Sequence, residues 1–180
     1  RAFDTPNFVA NRVGVAGMLA TMHEAEHFGL SYDVVDDLTG KKLGRASSGT
    51  FRTADVVGLD TMAHVIRTLQ DNPGDGKNAD PFAALYATPP VLARLLEAKN
   101  LGQKTGAGFY KKQGRDILRL DPQTMDYVPG GAKSNDVVGR MLKKPAAERL
   151  RLLRKLIEHI RRDPQVWWAR ADEVAAWHAN

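Results

Sequence analysis

The sequence contains no cysteine, which excludes disulfide bonds and thiolate metal sites. It also lacks any apolar run close to the roughly 20 residues that a membrane-spanning helix needs. Its opening stretch, residues 1–13, has no basic segment followed by an apolar block, and it therefore predicts no signal peptide. The absence of cysteine is compatible with a reducing compartment, and we expect a cytoplasmic protein with no membrane span.

Two further absences concern cofactors and the start of the chain. No G-x-G-x-x-G segment follows a strand-like run anywhere in the 180 residues, so the sequence has no dinucleotide-binding fingerprint. The chain also begins without methionine, and we expect that Arg1 is not its natural start.

Positive charge is present in excess, with a net charge of +5 and a pI of about 9.6. It is concentrated in residues 143–162, which predict a late helix. Such a helix can be a solvated face, or it can bind the phosphates of a nucleic acid or of a smaller ligand. The solvated face is the interpretation we adopt, and we expect no nucleic-acid partner.

Apolar periodicity predicts a mainly α fold. Residues 7–29 form one long predicted helix that ends at Gly29, and Ser31 is placed to cap a second helix. Residues 50–69 are helical in pattern on both sides of Gly58. A small β-hairpin is possible near 108–128, where short runs of alternating residues surround a turn signal.

The segment HEAEH, from His23 to His27, fits the H-E-x-x-H pattern of zinc hydrolases. Two histidines four residues apart lie on one helix face, and Glu24 between them is placed to act as a general base. A third ligand at suitable spacing is missing, and the next glutamate after Glu26 is Glu97. We therefore predict no metal site.

Three stretches occur in an order that points to a known family: DTPNFVANRVGV from Asp4, TFRTADVVGLDTMAHV from Thr50 and LGQKTGAGFYKK from Leu101. Together they resemble the C-terminal domain of the 3-hydroxyacyl-CoA dehydrogenases. They are most similar to the long bacterial β-oxidation enzymes that carry a hydratase on the same chain. The resemblance covers about residues 1–150.

The resemblance implies a helical substrate-binding and dimerisation domain over 1–112, followed by a hairpin and helical extension over 113–156. It implies a partner, an N-terminal Rossmann domain that binds NAD and supplies a catalytic His–Glu pair, with Asp4 to Pro6 marking the hinge. Asn11 corresponds to the family's asparagine that reaches the substrate near the catalytic histidine, and Arg12 follows it. The implied substrate is an acyl-CoA, and the implied assembly is a homodimer.

Other residues of these stretches receive more local interpretations. Lys104 is a candidate contact for a CoA phosphate, with a solvated surface lysine as the alternative. Asp60 is expected to cap the helix after Gly58. Glycines and aromatics of the third stretch are interpreted as structural, because glycine permits tight turns and aromatic rings pack against helices: Gly106, Gly108, Phe109 and Tyr110.

The family's catalytic pair has no counterpart here, since none of the five histidines, His23, His27, His64, His159 and His178, matches it. We therefore expect the chain to bind no NAD and to transfer no hydride by itself. The competing hypothesis is a stand-alone, non-catalytic module that binds acyl-CoA or self-associates. Residues 157–180 form a terminal segment of uncertain origin, whose VWWARADEVAAW is faintly similar to the end of polysaccharide deacetylases.

Overall fold

A computed structural model describes residues 6–74, 80, 82–136, 139–140 and 143–160. The chain divides into two compact units with a boundary after Ser134. In the described residues the first unit runs over 6–74, 80 and 82–134, and the second begins at residue 135. The sequence-based segments 1–112, 113–156 and 157–180 stay a prediction.

Five α-helices build the first unit, as the apolar periodicity predicted: α1 (Phe8–His27), α2 (Tyr32–Thr39), α3 (Phe51–Val57), α4 (Leu59–Asp71) and α5 (Pro90–Glu97). Short 3-10 turns lie between them at Lys41–Leu43 and Ala83–Tyr86, and a third, Gln103–Thr105, follows α5. The mainly α fold class is confirmed.

The glycines predicted the helix ends better than the expected capping side chains did. Gly29 and Gly58, with φ of 61° and 96°, adopt the left-handed backbone that glycine tolerates, and the chain turns at both. The predicted caps are wrong in detail. Ser31 is the N-cap residue of α2, but its hydroxyl donates to the Asp33 carboxylate and accepts no N–H of the helix backbone. Asp60 lies inside the first turn of α4, whose N-cap is Gly58.

A small antiparallel sheet has three strands where the sequence predicted a two-stranded hairpin. β1 (Tyr110–Gln113) pairs with β2 (Asp116–Leu120), and β2 pairs with β3 (Tyr127–Pro129). The third strand is three residues long, which is too short for an alternation pattern to identify securely. Its register brings Tyr127 opposite Leu120.

The core of the first unit lies between the helices and the edge of this sheet. Three aromatic rings form its centre, since Phe51 lies 4.2 Å from Tyr32 and 4.9 Å from Phe109 between ring centroids. Phe109 is fully buried, and it connects the sheet to the helices. Aliphatic side chains with no or almost no exposure surround them: Leu19, Leu59, Met62, Ile66, Leu69, Leu92, Leu95 and Leu120.

The described part of the second unit contains α6 (Ala146–Ile160), which lies in the predicted late basic helix. Arg154 and Glu158 form an i,i+4 ion pair along it at 2.8 Å, and both side chains are largely exposed. In the described ranges of the chain, no helix is long and apolar enough to cross a membrane. The tryptophans Trp167, Trp168 and Trp177 lie outside the described residues.

Candidate functional site

The first turns of α1 carry the predicted substrate-contacting residues. The helix begins without a side-chain cap, and positive φ occurs at Asn7 just before it (69°) and at Phe8, its first residue (34°). Asparagine tolerates this left-handed backbone, whereas it is strained for Phe8. It is tied to α4 by the Asn7 side-chain amide, which donates to the Val65 carbonyl at 3.0 Å.

Asn11 is half-buried on this helix. Within the described residues its side-chain amide takes part in no intramolecular hydrogen bond, and no buried side-chain polar atom there lacks a partner. The amide is therefore not needed to hold the described fold together. An asparagine amide offers two donors and one acceptor without changing protonation state, so this group is available to an oxygen atom of a ligand.

Arg12, in contrast, is engaged. Its guanidinium donates to the Asp80 carboxylate at 2.8 Å, and the two side chains are 25% and 11% exposed. The hydroxyl of Tyr86 donates to the same carboxylate oxygen at 3.1 Å. Burial and the negative charge of Asp80 raise the pKa of Tyr86 above its ordinary value, so the phenol stays a donor. Asp80 and Tyr86 were not singled out from the sequence.

Lys104 lies elsewhere in the first unit, next to the start of α4. Its ammonium donates to the Asp60 carboxylate at 2.5 Å, and both side chains are close to half exposed. No hydrogen bond or ion pair of the described residues joins Lys104 to Asn11 or Arg12. The structure thus brings Asn11 and Arg12 together on one helix and leaves Lys104 in a separate ion pair.

The glycine-rich stretch around Lys104 packs against the buried Asp55 at the edge of the core. The Asp55 carboxylate is 7% exposed and accepts the backbone N–H groups of Phe109 and Tyr110 at 2.9 and 2.8 Å. A Cβ atom on Gly108 would lie 2.1 Å from Asp55 Oδ1, and one on Gly102 would lie 2.4 Å from the Asp55 carbonyl oxygen. The structural interpretation of Gly108, Phe109 and Tyr110 is confirmed.

The two histidines of HEAEH have separate surroundings. His23 Nε2 lies 3.3 Å from the Leu85 carbonyl oxygen, so this ring fastens α1 to the 3-10 turn Ala83–Tyr86. His27 is exposed and rests edge-on against Phe28. Among the residues that the structure describes, no three histidine, aspartate or glutamate side chains group as metal ligands would.

A cleft of about 410 Å³ opens beside α2, away from the start of α1. Aspartates and basic side chains line it, among them Asp37, Lys42 and Arg52. Its carboxylates are already bonded to the protein, since Asp37 accepts from Lys42 and from Ser134. The cleft contains no side chain that the resemblance connects with the substrate.

Comparison with known proteins finds a matching family and several relatives of this chain. Residues 8–112 match the family described as "3-hydroxyacyl-CoA dehydrogenase, C-terminal domain". A probable 3-hydroxyacyl-CoA dehydrogenase of Bacillus subtilis is 47% identical over 126 residues, which cover 70% of this chain and 15% of that protein. A protein of the same description from Deinococcus radiodurans is 42% identical over 111 residues, which cover 62% of this chain and 30% of that protein.

A solved structure is similar to this chain as well. The crystal structure of FadB2 from M. tuberculosis is similar with a TM-score of 0.52 and 30% sequence identity, over 63% of this chain and 36% of that one. The chain thus spans about a third or less of the two curated relatives. The similar region contains α1 with Asn11 and Arg12, and it reaches the segment around Lys104.

Proposed function

Because this chain belongs to the 3-hydroxyacyl-CoA dehydrogenase family, of which it carries the C-terminal domain, we propose that it forms the substrate-binding and dimerisation part of such an enzyme. The reaction is the NAD-dependent oxidation of a 3-hydroxyacyl-CoA to a 3-oxoacyl-CoA in fatty-acid β-oxidation. The observation that carries the proposal is the Asn11 side-chain amide, which the described fold does not use although Asn7 and Arg12 on either side of it are engaged.

The proposed role of Asn11 is to donate a hydrogen bond to the 3-oxygen of the substrate. This oxygen gains negative charge as its proton is removed, and a fixed N–H donor stabilises that charge without itself titrating. Arg12 and Lys104 are proposed to add positive charge towards the acyl-CoA. Both lie in ion pairs that largely neutralise their charge, so the substrate's phosphates would have to compete with Asp80 and Asp60 for them.

The cofactor is proposed to bind on another domain. Rossmann-type sites lie at the carboxyl ends of parallel strands, next to a glycine-rich turn and a helix N-terminus. The sheet described in this chain is antiparallel throughout, and its residues do not build such a site. We therefore assign no step of hydride transfer to residues of this chain.

The exposed face of α1 is proposed to meet other protein. Phe8, Val9 and Val13 are 62%, 60% and 68% exposed, close to Asn11 along the helix. Apolar residues grouped in this way favour a protein contact, and the NAD-binding domain is the proposed occupant. Gly14 and Gly17 leave open space beside the helix, which would let a second copy approach closely in a homodimer.

The test is to give the chain an NAD-binding domain. The N-terminal part of the Bacillus subtilis relative would be fused before residue 1, and NADH formation from 3-hydroxyacyl-CoA would be measured. We expect turnover by the fusion and none by the 180-residue chain. Asn11→Ala should lower kcat by about 10²- to 10³-fold, the usual cost of removing one oxyanion donor.

The matched control is Asn72→Ala, because Asn72 is an exposed asparagine at the end of α4 whose amide, among the described residues, donates to the Thr68 carbonyl alone. It should leave kcat unchanged. An inactive fusion that still binds acyl-CoA would favour the non-catalytic module instead. Equal activity of the Asn11 variant and the unchanged fusion would contradict the role given to Asn11.

A homodimer and a cytoplasmic location complete the proposal. Light scattering after size exclusion should give twice the mass of one chain, and a monomer at every concentration would refute the dimer. The cytoplasmic location is supported by the absence of cysteine, which suits a reducing compartment.

A further inference from the structure

We propose that Asp80 is a positioning residue for Asn11, acting through Arg12 and supported by Tyr86. This inference rests on the proposed function for its catalytic meaning, and on the geometry of the described residues for its structural part. It concerns an aspartate that lies 68 positions after Arg12 in the chain.

Asp80 joins two parts of the first unit through one carboxylate. Its Oδ2 atom accepts from Arg12 Nη2 at 2.8 Å and from Tyr86 Oη at 3.1 Å. Its Oδ1 atom accepts the Phe82 backbone N–H at 2.9 Å. The carboxylate is 11% exposed and Tyr86 is 3% exposed, so water competes little for these bonds.

The segment that carries Asp80 and Tyr86 is itself fixed to two helices. Gln70 of α4 donates its side-chain amide to the Tyr86 carbonyl at 2.6 Å. His23 of α1 lies 3.3 Å from the neighbouring Leu85 carbonyl. Asp80 therefore holds Arg12 next to a turn that both helices contact, and it is linked to that turn by the Tyr86 hydroxyl. The histidine of the HEAEH segment supplies one of these contacts.

The start of α1 needs such a support. Phe8, its first residue, has a strained positive φ of 34°, and no side chain caps the helix. Asn7 fastens the helix start to Val65, and Arg12 is the next residue whose side chain fastens it. Asn11 lies between these two anchors, so loss of the Arg12 anchor would let its amide shift. A shift of about 1 Å in a positioned group can lower a rate about 100-fold.

A double-mutant cycle in the fused enzyme tests whether Asp80 acts through Asn11. Asp80→Asn should lower kcat about ten- to a hundredfold and leave KM for NAD unchanged. In the Asn11→Ala background the same change should cost less than about twofold, because the group that Asp80 positions is gone. Fully additive losses would show a general structural role and overturn the inference.

Tyr86→Phe is the milder variant in case Asp80→Asn folds poorly. It keeps the ring and removes one hydrogen bond to Asp80, so we expect the same pattern with a smaller loss of kcat. Asp37→Asn is the matched control. It makes the same change at a carboxylate of similar exposure, 14%. Asp37 lies on α2 and pairs with Lys42, so it has no contact with α1 through Arg12. It should not interact with Asn11→Ala in the cycle.

An activity-independent measurement separates this inference from the proposed function. In the 180-residue chain labelled with ¹⁵N-asparagine, the Asn11 side-chain amide resonances can be assigned by their absence in Asn11→Gln. They should shift in Asp80→Asn and not in Asp37→Asn. If the fusion is inactive, the proposed function fails, and the resonances alone then test whether Asp80 positions Asn11. Unchanged Asn11 resonances in Asp80→Asn would overturn the positioning role.

Discussion

Asp36 and Asp37 are adjacent on α2, yet one carboxylate faces the core and the other faces segment 130–134. Asp36 accepts the backbone N–H groups of Thr50, Phe51 and Arg52, with distances between 2.6 and 3.0 Å, and the Tyr110 hydroxyl at 2.8 Å. Asp37 accepts from the Lys42 ammonium and from the backbone and hydroxyl of Ser134.

The two carboxylates have pKa values shifted in opposite directions. Burial raises the pKa of Asp36, although four hydrogen bonds oppose the rise. The hydrogen bonds from Lys42 and Ser134 hold the pKa of Asp37 well below its usual range. Asp55 resembles Asp36, because burial raises its pKa to about 6 despite two backbone donors.

Asp33 resembles Asp37. Burial alone would raise the pKa of Asp33, but the bonds from Ser31, Ala132 and Val34, together with the charge of Arg119, outweigh it and lower the pKa. Asp33 and Asp37 thus fasten segment 130–134 to α2. Asp33 is 5% exposed and Asp36 is 6% exposed, so their partners and not their exposure set the opposite directions of the two pKa shifts. Asp36 and Asp55, whose pKa values are raised, are called the inner carboxylates below.

The comparison shows what the inner carboxylates are for. Helix α3 has no side-chain cap at Thr50, and its first N–H groups would be unsatisfied inside the protein. Asp36 satisfies them from another helix. Asp55 does the same for the chain entering β1. Asp36 and Asp55 contribute through the donors that they satisfy, whereas Asp37 contributes through its ion pair with Lys42 and its hydrogen bonds from Ser134.

The largest expected effect separates Asp36 from Asp37. Asp36→Ala leaves three backbone N–H groups and a phenol without an acceptor in the core, and should lower the free energy of unfolding by about 3–5 kcal/mol. Asp37→Ala removes the Lys42 ion pair and two hydrogen bonds from Ser134 at a side chain that is 14% exposed, and should cost less, about 1–2 kcal/mol. Urea denaturation of both variants measures the difference, and similar losses would refute it.

Sequence periodicity predicted the helices because each buries an apolar stripe of regular spacing. The break at Gly58 and the turn at Gly29 were predicted for a different reason, because glycine tolerates the left-handed backbone at which a helix ends. The tertiary cap of α3 was not visible, because Asp36 lies 14 positions before Thr50. Pairs so far apart follow from packing, which a local pattern does not contain. A hairpin was predicted near 108–128, and the third strand, Tyr127–Pro129, lies at its end, where three residues are too few for the pattern to count a further strand.

At the candidate site the sequence indicated Asn11 and Arg12 only through family resemblance. Periodicity alone would have placed Asn11 as an ordinary helix residue. Asp80 carried no signal of its own, since it lies in a glycine- and aspartate-rich stretch that reads as a loop. Its bond to Arg12 depends on how α1 and the Ala83–Tyr86 turn pack together.

The pH dependence of stability should show both kinds of aspartate. The raised pKa of Asp55 means that its contribution is complete below its ordinary value of 3.8 and is lost as the pH rises to about 6. The lowered pKa of Asp37 means the reverse, since its contribution is present above 3.8 and is lost as the pH falls further.

Urea denaturation between pH 2 and pH 7 would therefore separate the two by variant. Asp55→Asn should remove a decline in the free energy of unfolding, on the order of 2 kcal/mol, between about pH 4 and pH 6. Asp37→Asn should instead weaken the loss of stability below pH 4. A profile for Asp55→Asn that parallels the unchanged protein from pH 4 to 6 would contradict the assigned shift.

Asp60 gives the smallest expected effect and marks the limit of the comparison. Its hydrogen bond from Lys104 lowers its pKa, as Lys42 does for Asp37, but Asp60 and Lys104 are 44% and 49% exposed. Water and salt screen such a pair, so its Coulombic attraction contributes little to stability. Asp60→Asn should leave the urea midpoint nearly unchanged at low and at high salt. A shift of the urea midpoint as large as that of Asp37→Asn would mean that forming the ion pair is enough for its contribution to stability. Protection of the pair from water would then not explain the difference between Asp37 and Asp60.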